Sequence, residues 1–438
     1  MVEAGQVKEK VDALVGRLGG YFARVEPLRQ VGKYLRGLLS DLPRKNCWTL
    51  AEYAGDRTPD RMQRLLERAS WDTFAVMGVV RDFVVEHLAD EGGLTVLVLD
   101  ESGAEKTGER TAGVKRQYVG CAGKVANAVN FVNATYSTPS GHALVGSRLY
   151  VPAEQLADEQ TRIGMGIPTD LPFKTKPELG LDLLAELVAA DAHVPWCAGD
   201  AVYGRDRNLR EHCERHGIGY VFGVPCSLQV TLNPRTKLRV DATRKLLSRR
   251  AWQVASCGPG SKGERRYAWA WLSTISPRHF ILIRRSLTKP SEVAYFYCFV
   301  PEHIPATLGV LVAVAGRRWT VEEDHEFGKD QFGFDQSQVR LFTPIMRHVT
   351  LVIAALAVCA VTAATARGHT DPPPTPTHPA QPPPADPGLI PMTVVEVKRL
   401  FNLATRTQHG IEHHLRWSWW RRRHQARARW YHHLARLT

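Results

Sequence analysis

The chain has 438 residues, with 57 Lys+Arg against 44 Asp+Glu and a formal net charge of +13. Its 44% hydrophobic and 23% charged content excludes a chain disordered throughout, and its length excludes a small stapled scaffold and leaves room for roughly two to four domains. The positive balance points to a polyanionic partner, nucleic acid first and an anionic membrane surface second.

The N-terminus, MVEAGQVKEKVDALVGRLGG, lacks the basic-then-apolar order of a signal peptide. Residues 1–92 carry apolar positions at three- and four-residue spacing and read as helical. Within them, Trp48 to Ser70 reads as a short helix, a turn at Gly55 and a second helix entered near Pro59. That second helix presents Arg61, Gln63 and Arg64, as a helix-turn-helix would to a DNA groove; a plain helical hairpin with solvated arginines fits equally well.

From Thr95 the texture changes to strands. TVLVLD ends at Asp100, and RQYVGCAG, NAVNFVNATYS and ALVGSRLYVP follow as a meander of β-branched and aromatic runs. A helix (KPELGLDLLAELVAADA) leads to a short apolar strand ending at Asp200, then to a helix and the strand GYVFGVP. Residues 225–302 interrupt this alternation with further β structure, and helical pattern resumes from about 304. Val349 to Thr365 is uncharged and near membrane length, but its Ala and Thr content favours a buried core helix. Asp371 to Gly388 reads as an extended proline-rich linker, and the tail beyond it combines arginines with Trp417, Trp419 and Trp420. The eight cysteines, Cys47, Cys121, Cys197, Cys213, Cys226, Cys257, Cys298 and Cys359, lack CxxC or zinc-like spacing and read as reduced core thiols.

Three strands, helix, strand, helix, strand, helix is the order of a ribonuclease H-like α/β domain. In that layout the first and fourth strands are neighbours, so Asp100 and Asp200 emerge side by side, and the last helix brings Glu322 across the sheet edge. Three converging carboxylates repel one another unless cations neutralise them. Magnesium suits them: two ions about 4 Å apart, with manganese able to substitute, stabilise the attacking and leaving oxygens of a phosphoryl displacement. Arg318, Glu322 and Lys329 share one broad helical face, so the bases could grip phosphates beside the metal ligand. Glu323, Asp324 and Glu326 read as a solvated charge ladder, with Glu326 a reserve ligand.

Arg318-x3-Glu322-x6-Lys329 is similar to the Tyr-Arg-Glu-Lys signature of bacterial insertion-sequence transposases of the DDE superfamily. VLDESG, RQYVGCAG, LYVP, GDAVYG and GFDQSQVR match that branch in order, as do the early RKNCWTLAEYAG and the late WRRRHQARAR. The resemblance implies a ribonuclease H-like mixed-sheet catalytic core, in parts 93–224 and 303–367, interrupted by a mainly β insertion domain at 225–302. It implies a helical DNA-binding domain at 1–92, a linker at 368–390 and a basic helical tail at 391–438. The implied reaction is magnesium-dependent cleavage at the element's terminal inverted repeats and strand transfer into target DNA, by a dimer in the bacterial cytoplasm, associated with the nucleoid. It also suggests phosphate contacts for Arg318 and Lys329. The family tyrosine would stand three residues before the arginine, where this chain has Ala315. That leaves a phosphate contact missing or supplied elsewhere, and keeps open an inactive or domesticated DNA-binding derivative.

Two further groups bear on DNA. Trp252, Trp269 and Trp271, with Lys262, Arg265 and Arg266, suit stacking on an extruded base, although a hairpin core explains alternating tryptophans better. Arg421, Arg422 and Arg423, with Arg427 and Arg429, favour sequence-independent phosphate contact, with a membrane-surface helix as the competitor. His413, His414, His432 and His433 read as phosphate-facing rather than metal-binding.

Overall fold

The computed structural model describes residues 4–90, 92–119, 123–260, 263–367, 389–405 and 408–434. The proline-rich stretch, Cys121 and Lys262 lie outside these. The described residues fall into two compact units, one within Met1–Val80 and Phe327–Thr438, the other within Arg81–Glu326.

The chain opens with α1 (Ala4–Arg17), α2 (Val25–Leu38), α3 (Cys47–Tyr53), α4 (Asp60–Glu67) and α5 (Thr73–Leu88). Local chemistry sets these boundaries. Asn46 caps α3 by accepting from the Trp48 and Thr49 N–H groups, while the Thr49 hydroxyl accepts from the Asn46 N–H, a reciprocal capping box. Gly55, at φ +75°, makes the turn into α4, a left-handed conformation that glycine adopts without steric cost.

The second unit is built on β1 (Val96–Glu105), β2 (Lys115–Val119), β3 (Lys124–Thr138) and β4 (Gly141–Leu149), then α6 (Ala153–Ala157), α7 (Glu159–Met165) and α8 (Lys176–Ala189). Next come β5 (Trp196–Gly199), α9 (Ala201–Gly204), α10 (Arg207–Arg215) and β6 (Gly219–Val224), and a long β segment, β7 (Gln229–Asn233) to β12 (Val293–Phe299). In that segment β8 is Thr236–Arg239, β9 Gln253–Gly260, β10 Gly263–Ser273 and β11 His279–Arg285. α11 (Leu308–Arg317) and the start of α12 (Trp319–Asp330) complete the unit.

The main sheet runs β2-β3-β1-β5-β6-β12-β11-β10-β9, with β4 also on β3. The β1, β3 and β4 pairs are antiparallel, β1–β5 and β5–β6 parallel. This is the mixed α/β sheet that the element order led us to expect. Residues 225–302 relate to it through β12, which pairs antiparallel with β6; β9 to β12 thus continue the core sheet, and β7 and β8 form a separate two-stranded ribbon. Otherwise β6 would present an open edge of unpaired backbone groups.

Side-chain alternation divides the two faces. Val96 and Val98 join Trp196, Ala198, Val221, Trp269 and Leu282 in a core packed against Leu311, Val314 and Val321 of α11 and α12. α11 comes so close that a Cβ on Gly316 would lie 1.8 Å from the Cys257 carbonyl oxygen. On the opposite face, Leu99 approaches Gly180 of α8.

α13 (Phe342–Arg367), α14 (Val394–Thr405) and α15 (Ile411–Leu434) return to the first unit. The segment 303–367 therefore divides: α11 lies with the sheet, whereas α13 packs against α1, α2, α4 and α14. α13 has mean hydropathy 2.3 in its most apolar stretch, which is 89% buried among its neighbours. Its buried Arg347 donates to the carbonyls of Leu66 (3.0 Å) and Trp71 (2.8 Å), satisfying the end of α4. The seven described cysteines are unpaired, six of them buried.

Candidate active site

The parallel register brings the two aspartates together. β1 and β5 pair as far as Leu99 opposite Gly199, so the next residue on each, Asp100 and Asp200, leaves the shared ladder beside the other. Asp100 is not at the end of its strand, as the sequence reading had it. β1 runs on to Glu105 because β3 pairs with it throughout, and Asp100, opposite Asn133, marks where β1 loses its β5 neighbour. Asp200 turns off β5 and accepts from the Val202 N–H at 2.8 Å.

The tight acidic cluster is Asp100, Glu101 and Asp200, one oxygen of each lying within 4.8 Å of the others. The sequence motifs assign Glu101 no role, and neighbours in a regular strand point to opposite faces. Beyond Leu99 the edge of β1 facing β5 is open, and there the longer glutamate side chain can come round to its neighbour. The signal in the sequence was the consecutive acids after an apolar strand.

Burial dominates the electrostatics here. It pushes the Asp100 carboxyl up to about 7, helped by the charges of Asp200 and Glu101 and opposed by the Glu101 N–H and Arg318. Glu101 is also raised, mainly by burial, although Lys176 at 3.2 Å favours its charged form. Arg318, the C-cap of α11, lies 3.5 Å from Asp100 and pairs with Glu322 one turn into α12. Glu322 therefore faces Asp100 across a guanidinium and is not one of the three clustered acids. A groove of about 350 Å³ adjoins them, lined in part by Asp200, Gly223, Arg284, Tyr295 and Arg318.

Of the acids that follow Glu322, Glu326 is solvated as expected, but Asp324 and Glu323 are not part of an exposed ladder. Asp324 is buried, accepting from Thr135 of β3 (2.8 Å) and pairing with His142 of β4 (2.9 Å). Glu323 lies 3.1 Å from the other ring nitrogen of His142, and His325 is 3.0 Å from the Asn133 amide. α12 is thus pinned to β3, the antiparallel neighbour of the strand that carries Asp100, and to β4, which fixes where Glu322 stands.

The donor set fits a hard divalent cation: clustered carboxylate oxygens with no thiolate or imidazole among them. The Tyr203 hydroxyl adds to the fit, being fully buried beside these acids with no hydrogen-bond partner among the described residues.

The other expected site residues are spread more widely. Lys329 is half-buried in the last turn of α12, and Glu326 is exposed on the same helix. Arg61 and Arg64 are exposed on α4, Arg61 at 3.8 Å from Asp56. Trp269 is 1% exposed in the sheet core with its indole N–H on the Ala255 carbonyl, so it offers no face to a base. Arg265 is half-buried, donating to the Gly316 carbonyl and lying over the Trp319 ring, whereas Arg266 is exposed. On α15, Arg422 and Arg423 are exposed, but Arg421 pairs with Glu52. Trp417 is buried with its indole N–H on the Asp56 carbonyl, and His413 meets the Glu52 carbonyl rather than solvent, because this face of α15 packs on α3. Ala315, at the place of the signature tyrosine, packs against the sheet core.

Comparison with known proteins agrees with this geometry. The family model for the DDE superfamily endonuclease matches residues 18–269, a stretch that contains Asp100 and Asp200 and ends before Glu322. The probable transposase for insertion sequence element IS701 of Microchaete diplosiphon is 25% identical over 281 residues, 60% of this chain and 70% of that protein. The resemblance read from the motifs therefore holds, and the chain belongs to the DDE superfamily of endonucleases.

Proposed function

We propose that this enzyme is a transposase that cuts DNA at the ends of an insertion sequence and joins the freed ends to target DNA, with Asp100, Asp200 and Glu322 holding divalent cations, magnesium or manganese. The observation that carries the reading is the pairing of Leu99 with Gly199, after which two aspartates leave adjacent parallel strands together. When bound, such a cation polarises the scissile phosphoryl group and stabilises charge on the attacking and leaving oxygens. Asp100 and Asp200 supply hard oxygen ligands from a rigid sheet. Glu322, facing Asp100 across the Arg318 guanidinium, would complete the set from α12, a helix held to β3 and β4 through Asp324. Arg318, already drawn to these carboxylates, is available to a DNA phosphate once they are otherwise neutralised, and Lys329 serves the same strand further along.

For the DNA outside the site, exposure and charge support α4, through Arg61 and Arg64, and α15, through Arg422 and Arg423. Arg266 joins them as a phosphate contact; the partners of Arg265, Trp269 and Arg421 favour structural roles. A homodimer on paired inverted repeats, acting on nucleoid DNA in the cytoplasm, follows from the proposed reaction, which needs two ends.

The test is magnesium-dependent nicking and joining of a DNA fragment carrying the element's ends. D100N, D200N and E322Q should each retain DNA binding and lose cleavage by roughly a hundredfold or more, the scale of several kcal/mol of charge stabilisation. Binding without cleavage by the wild-type chain would favour a non-catalytic derivative, and cleavage without joined products a nuclease on the same core.

A further inference from the structure

Glu101 lies in the acidic cluster, yet no signature motif assigns it a function. Its carboxylate sits within 4.8 Å of both Asp100 and Asp200 oxygens and is 13% exposed. Like charges so close in a partly dry setting are costly unless cations are shared among them. Two basic groups serve the cluster from its flanks. Arg318 lies against Asp100 and Glu322, and Lys176 lies 3.2 Å from Glu101.

Lys176 is the first residue of α8, a start fixed by a capping box between Thr175 and Glu178. Its ammonium lies 5.9 Å from the centre of the Tyr150 ring, and the side chain, 28% exposed, is a flexible stem that can swing away from the carboxylate.

A second observation comes from beneath the cluster. Tyr203 is completely buried, its ring lodged where Gly180 and Gly199 leave space; a Cβ on either would fall within about 3 Å of that ring. Its hydroxyl is within electrostatic reach of Glu101, Asp100 and Asp200 and has no hydrogen-bond partner among the described residues. A buried hydroxyl left so costs about 1–3 kcal/mol. A water in the coordination shell of a cation held by these acids would satisfy it.

From these placements we propose that Glu101 is a further ligand of the divalent centre, and that Lys176 competes with the ion for its carboxylate. The proposal rests on the metal-dependent reading given above. It makes the pair a built-in counter-charge: the lysine that neutralises Glu101 is released as the ion takes the carboxylate, and becomes available to a DNA phosphate.

The test is a titration of the full chain with Mn2+ alone, without DNA, following the free-ion signal by electron paramagnetic resonance. D100N serves as the reference for loss of the centre, and thermal melting confirms that each variant is folded. E101Q should weaken Mn2+ binding by about 10–100-fold, the range seen when groups that tune a metal site are lost. K176M should tighten it. The double variant E101Q/K176M should stay as weak as E101Q. If the double variant instead regains wild-type affinity, Glu101 merely balances Lys176 and the proposal fails; unchanged affinity in E101Q overturns it as well. Should E101Q not fold, E101D replaces it, with a severalfold loss expected for a ligand and none for a simple ion-pair partner. If wild type and D100N bind Mn2+ equally, the divalent centre itself is absent and the proposed function falls, an outcome distinct from the loss of Glu101 alone.

Discussion

His142 keeps its proton well above the range usual for a histidine. Burial alone would push its pKa down, but Asp324 and Glu323, one on each ring nitrogen, outweigh that and raise it to about 9. The folded state therefore holds a proton that the unfolded chain releases near 6.5. Stability from this group is fully present below pH 6.5 and is lost as pH rises through 9. Buried Asp324 supplies most of it, since Glu323 is 39% exposed and screened by solvent. Thermal unfolding followed from pH 6 to 10 should show a decline on the order of 3 kcal/mol, absent in H142Q. A flat profile in the wild type would remove the charged histidine from the account. Such residues mark how far the sequence could be read. Asp100 and Asp200 were foreseeable as neighbours because the element order makes their two strands adjacent and each acid follows the apolar run of its strand. Glu101 was not, because alternation predicts that adjacent side chains diverge. Asp324 was hidden in a run of acids whose spacing fits an exposed ladder, and only its contacts with Thr135 and His142 set it apart.

Among whole elements, α15 shows how composition can mislead and periodicity inform. Its arginines and tryptophans suggest DNA or a membrane surface on every side. Yet His413, Trp417, Trp420, Arg421 and His424 recur at helical spacing, and it is this stripe that meets α3 and the turn after it. Trp48 takes the Trp420 ring edge-on at 4.9 Å, and Trp417 is wholly buried. Loss of so large a side chain leaves a cavity, so W417A should destabilise the helical unit by about 3–5 kcal/mol in denaturant unfolding. A change below 1 kcal/mol would mean that the stripe contributes no packing energy. The long β segment teaches the complementary lesson. Its strands were legible from β-branched and aromatic runs, but their partner was not, because pairing between β12 and β6 is a matter of edges that no local pattern records.

For the molecule as a whole, the first unit draws its helices from both ends of the sequence, and α13 is the apolar element that α1, α2 and α4 cover. The helical pattern of the first ninety residues was plain, as was the burial of Val349 to Thr365; that the two belong together is a long-range fact outside any sequence window. Because α1, α2 and α4 all pack against α13, and α1 also against α14, a chain ending at residue 340 should leave much of their apolar surface uncovered. We expect such a truncation to lose cooperative unfolding of the helical unit and to aggregate, as seen by circular dichroism and sedimentation; a soluble, cooperatively melting product would contradict this.

The same arrangement sets a clock on biosynthesis. Residues 81–326 must all be translated between the two halves of the helical unit, which at ribosomal speeds of roughly 5–20 residues per second takes some ten to fifty seconds. During that delay the nascent N-terminal helices wait, half-assembled, for chaperones or for the rest of their own polypeptide. The groups on α4 and α15 acquire their joint scaffold only after the intervening unit has been made.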